Sequence, residues 1–299
     1  MEFKSETKKN KVVFIAGLTA SGKSDLAIWL ARRVDGEIIN ADSRQVYFGL
    51  DFGSAKISKT EEKKVKHYLL SFASPRQNYS LGRWLEDADQ AVKKIIRAGR
   101  MPIFCGGALL YLKSLVEGWR LVKVKPNRKL RKDLEKKTLA DLLLALKKID
   151  PVRLKTVDRN NKRRIIRAIE IGRQLGSVPV LKKQPQYEVL ILAPRVEFSR
   201  LELKIAKRLS QRRANIVKEI KNLRRKGLSF DRIINFGLEY RWFGRYLRGD
   251  IDLIEAEEKC LADIIRFAKR QRRELERISV VHWVKTKIEA LSTFKKFLK

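Results

Sequence analysis

Eight consecutive residues of this 299-residue chain have the types and spacing to hold a polyphosphate. Gly17-Leu18-Thr19-Ala20-Ser21-Gly22-Lys23-Ser24 is a complete G-x-x-x-x-G-K-[ST] phosphate loop. Gly17 and Gly22 let the backbone wrap an anion closely, turning successive N–H groups and a helix start toward phosphate oxygens. Lys23 supplies a point charge, and the Ser24 hydroxyl is suited to ligate Mg2+. Asp42 is a second candidate, in the run Asp42-Ser43-Arg44-Gln45-Val46-Tyr47. A carboxylate there has two chemical uses, as a water-mediated Mg2+ ligand or as a general base. It has one purely structural use, as an Asx cap opening a turn.

Elements of regular spacing position these residues. Apolar runs at Val12–Ala16, Glu37–Ala41, Tyr68–Phe72, Met101–Cys105, Val189–Ala193 and Val280–Val284 read as strands. Between them, Asp25–Arg33, Leu81–Ala98 and Leu109–Val116 carry apolar residues at helical spacing. The alternation predicts an α/β fold with a parallel sheet, whose ligands sit at the carboxyl ends of the strands. The phosphate loop, Asp42 and the Gly106-Gly107 turn all fall at such ends. Residues 119–184 break the alternation and read as helices without a strand, at Asn127–Lys136, Leu139–Lys148 and Arg163–Leu175. The expected organisation is a flexible tail over residues 1–10, a core over 11–118, a helical insertion over 119–184, and the rest of the core over 185–299. That last part carries basic helices at Leu201–Leu223 and Ala256–Leu275 before a final strand.

The net charge is +35. Residues 1–118 hold 20 Lys+Arg against 13 Asp+Glu, and residues 119–299 hold 49 against 21. So lopsided a charge favours a polyanionic partner, since phosphate contacts release condensed counterions. No segment has the apolar core of a signal peptide or the length of a membrane span. Two cysteines and two histidines build neither a disulfide framework nor a zinc site, which fits a reducing cytosol.

Further motifs follow the phosphate loop in order: Gly53-Ser54-Ala55-Lys56, His67-Tyr68-Leu69-Leu70 and Gly106-Gly107-Ala108-Leu109-Leu110-Tyr111-Leu112-Lys113. With Asp42-Ser43-Arg44-Gln45-Val46-Tyr47 and the phosphate loop itself, this set resembles the tRNA dimethylallyltransferases, also called tRNA isopentenyltransferases. The resemblance continues through Asp150-Pro151, Asn161–Glu170, Phe236–Arg241, Ala268–Gln271 and His282-Trp283, and so runs from about Val12 to Trp283.

It implies a P-loop NTPase-like sheet core with a helical, tRNA-gripping insertion. It also implies transfer of a dimethylallyl group from dimethylallyl diphosphate to N6 of adenosine 37, within an anticodon stem-loop carrying adenosines 36 and 37. On those terms the loop Gly17–Ser24 holds a leaving diphosphate, with Ser21, Gly22, Lys23, Ser24 and Mg2+ stabilising its charge. Arg208 adds a forked contact to the same oxygens. Asp42 takes the proton of the amine as its bond to the allylic carbon forms, and Thr19 orients the diphosphate or the amine. Ser43, Arg44 and Gln45 contact the nucleotide, together with Lys56 and Ala108. Arg163, Arg164 and Arg167 of the insertion meet the anticodon arm, and Tyr240, Arg241, Lys269, Arg270 and Gln271 grip its other side. A cytoplasmic monomer is expected.

The chain departs from the family pattern at several positions. Leu18 stands for a proline, Ser54 and Ile57 for a threonine and a proline, and Ala108 for a threonine. Arg272-Arg273-Glu274 stands where a threonine–tryptophan pair is usual. Three other readings make different demands. An adenylate isopentenyltransferase uses a free nucleotide and has no need of the basic second half. A small-molecule P-loop kinase would turn over nucleoside triphosphate. A non-enzymatic RNA-binding module would not need Lys23, Ser24 and Asp42 together.

Overall fold

A computed structural model describes residues 9–299. The expected tail covers residues 1–10, of which 1–8 lie outside the described residues; the first strand already begins at Asn10. The strands are β1 (Asn10–Ala16), β2 (Gly36–Asn40), β3 (His67–Tyr68), β4 (Met101–Gly106), β5 (Trp119–Arg120), β6 (Lys182–Lys183), β7 (Tyr187–Pro194) and β8 (Val281–Val284). The helices up to residue 184 are α1 (Lys23–Ala31), α2 (Lys59–Glu62), α3 (Leu81–Arg97), α4 (Leu109–Val116), α5 (Arg128–Glu135), α6 (Leu139–Ile149), α7 (Pro151–Thr156) and α8 (Lys162–Leu175). Then come α9 (Phe198–Arg225), α10 (Phe230–Ile234), α11 (Glu239–Arg248), α12 (Leu253–Glu276) and α13 (Lys287–Leu298).

Six strands form one parallel sheet in the order β3-β2-β4-β1-β7-β8. β1 shows why an unbroken apolar run makes a central strand. Val12, Phe14 and Ala16 face one cluster with Trp84 and Phe104, while Val13 and Ile15 face a second with Leu26, Leu30 and Leu192. Both faces are covered, so alternation gives way to continuous hydrophobicity. Helices α1 and α13 contribute to the second cluster; α3, α4, α9, α11 and α12 contribute to the first.

Two compact units result, one formed by the chain up to Gly118 with Pro185–Lys299, the other by Trp119–Gln184. The second has its own core, in which Leu142 and Leu146 of α6 meet Ile165 and Ile169 of α8. Asp150 starts α7, its carboxylate accepting from the N–H groups of Arg153 at 2.7 Å and Val178 at 2.8 Å. Those bonds, the Val178 one foremost, hold its carboxyl below the usual range.

Three expectations about elements are corrected. The strand expected over Tyr68–Phe72 stops at Tyr68, because Leu69 (φ 58°) and Ser71 (φ 49°) turn the chain. Ser71 and Phe72 then donate their N–H groups to the carbonyls of Gln45 and Val46, at 3.0 and 2.9 Å. The segment 119–184 is not free of strands, since β5 and β6 pair antiparallel at its two ends. The chain also continues past the last strand into α13, whose Ala290 and Phe294 are buried.

Candidate active site

The phosphate loop leaves the carboxyl end of β1 and enters α1 through Gly22, whose φ of 86° is open to glycine at little cost. Lys23 is the first residue of α1, and its ammonium donates to the Leu18 carbonyl at 3.4 Å. Burial lowers the Lys23 pKa, while Cys105 and Asp42 push it back up and Arg208 lowers it further. Burial likewise raises the Cys105 thiol to about 11, so the thiol stays protonated and unreactive at neutral pH. The Ser21 hydroxyl is buried without a hydrogen-bond partner among the described residues. A buried orphan donor inside an anion-binding loop fits a site whose ligand completes it.

A cavity of about 260 Å³ opens beside this loop. Thr19, Lys23 and Ser24 line it from the loop side, Asp42, Arg44 and Gln45 from the end of β2, and Arg208 from α9. The Arg208 guanidinium donates to Thr19 Oγ1 at 2.6 Å, so this arginine is tied to the loop rather than spread on a solvated helix face. Burial pulls its pKa below the ordinary value, partly offset by Glu239. The Asp42 carboxylate does cap a turn, Oδ1 accepting from the Arg44 and Gln45 N–H groups at 2.9 and 3.4 Å. Its other oxygen, Oδ2, makes no hydrogen bond among the described residues. The structural and the chemical use of Asp42 are therefore compatible.

Ser24 and Asp42 share the cavity wall, but no group of three His, Cys, Asp or Glu side chains able to hold a metal occurs among the described residues. Such a sparse donor set fits Mg2+, which keeps waters and takes most other ligands from substrate phosphates.

Several residues expected at the RNA already make hydrogen bonds within the protein. Lys56 spends its three ammonium protons on Tyr47 O at 2.9 Å, Asp51 Oδ1 at 2.6 Å and Ser71 Oγ at 2.6 Å. Gln271 is buried, accepting from the Thr19 N–H at 2.9 Å and donating to Gly107 O at 2.9 Å. It is a strut between the phosphate loop and the glycine turn. Tyr240 is fully buried and donates to Glu219 Oε1 at 2.8 Å; burial first, then the Glu219 charge, keeps its phenol protonated. Arg167 bonds the Glu170 carboxylate and donates to Val124 O at 2.9 Å, inside a network with Arg131. Gln45 directs its amide protons to the carbonyls of Ser54 and Ala55, at 3.2 and 3.4 Å.

The other expected residues keep solvent-facing atoms or a place near the loop. Arg44 pairs with Glu239 at 3.3 Å beside the cavity, and Ser43 is exposed. Arg163 is exposed with no ion-pair partner among the described residues, and Arg164 lies 3.5 Å from Asp158. Arg241 pairs with Asp263 at 3.4 Å and Lys269 with Glu202 at 3.6 Å, while Arg270 lies over the Phe267 ring. Leu18 is buried in the apolar core, and Ala20 takes a φ of 62° in the loop. Ala108 caps α4 without a side-chain hydrogen bond.

Residues missed by sequence reasoning complete the site. Leu238, Ile264 and Phe267 give the cavity an apolar wall. Glu219 of α9 accepts from the N–H groups of Asp51 (2.6 Å), Phe52 (2.7 Å) and Gly53 (3.1 Å), as well as from Tyr240. Gly53 lies so close to the Tyr240 ring that a Cβ there would meet it at 2.5 Å. The signal was present: Glu219 sits on the buried stripe Ile216, Ile220 and Leu223, where a carboxylate needs partners. Glu219→Ala leaves three backbone donors and a phenol unpaired, and we expect it to lower unfolding free energy by about 3 kcal/mol or more in urea titrations.

The IPP transferase family model matches residues 45–276. The chain is 35% identical to a tRNA dimethylallyltransferase of Thermomicrobium roseum, over 92% of this chain and 86% of that protein. The chain belongs to the IPP transferase family. A tRNA dimethylallyltransferase 1 of Syntrophus aciditrophicus is 36% identical, with 92% and 93% covered. Among solved structures, a tRNA isopentenylpyrophosphate transferase of Bacillus halodurans matches with a TM-score of 0.72 at 29% identity, over 97% of this chain and 96% of that one. A eukaryotic dimethylallyltransferase described as acting on tRNA also gives 0.72, at 26% identity, over 88% and 69%. The IPP transferase match begins beyond the phosphate loop, so residues 17–24 point to a phosphorylated ligand independently of it.

Proposed function

We propose that this IPP transferase moves a dimethylallyl group from dimethylallyl diphosphate to N6 of adenosine 37 in tRNA, giving N6-(dimethylallyl)adenosine and diphosphate. The observation that carries the reading is the composition of one cavity. It joins an anion-binding loop and Arg208 to the carboxylate of Asp42 and to an apolar wall of Leu238, Ile264 and Phe267. A diphosphate that bears a short hydrocarbon asks for both surfaces.

In this mechanism the loop N–H groups, Lys23 and Arg208 hold the diphosphate and stabilise the charge that grows as the allylic C–O bond breaks. Ser24 would hold Mg2+, which would supply further neutralisation of the leaving group when bound. Thr19 Oγ1, already accepting from Arg208, keeps its own proton to donate to a phosphate oxygen. Asp42 Oδ2 accepts the N6 proton as the new C–N bond forms, since the amine becomes acidic only at that stage. The target adenine leaves the anticodon stack to reach this cavity, as bases do for enzymes that modify them.

Among the described residues no helix is long and apolar enough to cross a membrane. A cytoplasmic, monomeric enzyme fits this reading. The test is incubation with Mg2+, dimethylallyl diphosphate and either an anticodon stem-loop carrying adenosines 36 and 37 or free AMP, read by mass spectrometry. An adduct on the stem-loop alone supports the proposal, and an adduct on AMP alone, or on neither, overturns it.

Two of the insertion arginines separate RNA contact from scaffolding. Arg163→Ala should weaken stem-loop binding several-fold and lower the log–log salt slope by about 1, with unchanged thermal stability. Arg167→Ala should instead cost about 1–2 kcal/mol of stability, because it strips one partner from buried Glu170. Filter binding at several salt concentrations and thermal melts check the pair.

A further inference from the structure

Exposed aromatic rings are unevenly distributed over this chain. Among the described residues the exposed large aromatic side chains are Phe48 (56%), Phe52 (43%) and Phe72 (38%). The other large aromatic side chains of the described residues are buried or half-buried. Single exposed apolar residues need no explanation, but three phenylalanines confined to one stretch of 25 residues do. That stretch contributes to the cavity wall: it contains Gly53, Ser54 and Ala55, which line it, and follows closely on Asp42, Arg44 and Gln45.

The rings are carried on backbone held from several sides. The Phe52 N–H is bound to Glu219, as are its neighbours on either side. The Phe48 N–H donates to Ala73 O at 3.0 Å and the Phe72 N–H to Val46 O at 2.9 Å, so the two segments are laced together. Lys56 adds its bonds to Tyr47 and Ser71 across the same junction. Phe72 meets Tyr79 edge-on at 5.3 Å, and Arg83 lies over Tyr79 at 5.6 Å. Arg232 fastens the following turn through Pro75 O and Gln77 O, at 2.8 and 2.6 Å. Apolar rings at the surface gain nothing from water, and the backbone that carries them is already held before any ligand arrives.

Exposed aromatic faces beside a cavity lined by Arg44 and Arg208, which takes an extruded base in the reading above, have the composition of a single-stranded nucleic-acid platform. We propose that Phe52 and Phe48 form a stacking platform for unpaired anticodon-loop bases next to the target adenosine. The inference rests on the RNA-modifying reading above. Stacking on protein rings replaces the stacking that the loop loses when its adenosine swings out. A short peptide or a lipid surface fits less well, because the cavity beside this stretch is lined by the cations Lys23, Arg44 and Arg208.

The test uses the full chain and an anticodon stem-loop with 2-aminopurine placed in turn at each nucleotide flanking the target. In the wild type, binding without donor should quench the fluorophore at one or more of these places. Phe52→Ala should abolish most of that quench and raise KM for the stem-loop about tenfold, leaving KM for dimethylallyl diphosphate unchanged. Phe52→Trp should restore both, which a merely structural role for the side chain would not do. Phe48→Ala should act in the same direction at a different nucleotide.

If the wild type makes product but neither quench nor stem-loop KM depends on Phe52 or Phe48, the platform is wrong and the transfer reading stands. If quench depends on the rings but no stem-loop is modified, the platform stands and the transfer reading falls. If the stem-loop neither binds nor reacts, both fall.

Discussion

Asp42→Asn should lower the single-turnover rate of transfer by a factor of about 10²–10⁴ while leaving stem-loop binding close to the wild type. Asparagine is the informative replacement because Asp42 has two occupations. Its Oδ1 accepts from the Arg44 and Gln45 N–H groups and so shapes the turn after β2. An asparagine carbonyl keeps that cap, but its amide can no longer accept the N6 proton. Asp42→Ala would remove cap and base at once, and its larger defect would confound the two. Rapid-quench measurement of adduct formation, with RNA affinity measured in parallel, gives the answer. An Asp42→Asn enzyme with a wild-type single-turnover rate would show that the proton leaves by another route.

Lys23→Met should cost about 10²–10³ in the rate of transfer, the magnitude of removing one preorganised charge from a site where negative charge develops. The methionine stem fills a similar volume, so the loss is chiefly that of the ammonium. The wild type should also show a pH signature. Burial lowers the Lys23 pKa from its ordinary 10.5, so the ammonium is present at low pH and lost earlier than an exposed lysine's as pH rises. Diphosphate binding therefore weakens on the alkaline side: KM for the donor should climb as pH increases toward that value, and Lys23→Met should flatten the climb. Steady-state kinetics from about pH 7 to pH 10 would show it. A donor KM independent of pH in the wild type, with the same alkaline behaviour in Lys23→Met, would remove Lys23 from the diphosphate site.

Much of the site was legible because its parts are local. The phosphate loop is eight contiguous residues, and its strand and helix are spelled by their own apolar spacing. The long strands and most long helices lie within a few residues of their sequence-based bounds for the same reason. β3 was misread because Leu69 and Ser71, ordinary strand residues by composition, take positive φ to let the chain turn back onto Gln45 and Val46.

What only the tertiary structure decided is which polar side chains are free. Lys56, Tyr240, Gln271 and Arg167 sit in motifs that suggest RNA contact, and each is hydrogen-bonded within the protein. Gln271 and Thr19 are 252 positions apart, and Glu219 and Asp51 are 168 apart. No pattern along the chain states that such pairs meet. A cation's type and neighbours in sequence are the same whether it faces solvent or a carboxylate folded against it. Motif spacing determined the chemistry this protein is equipped for, because loops, strands and helices follow from residues close together. Packing decided which residues carry it, because a buried donor or acceptor must take its partner from whatever distant segment the fold brings within about 3 Å.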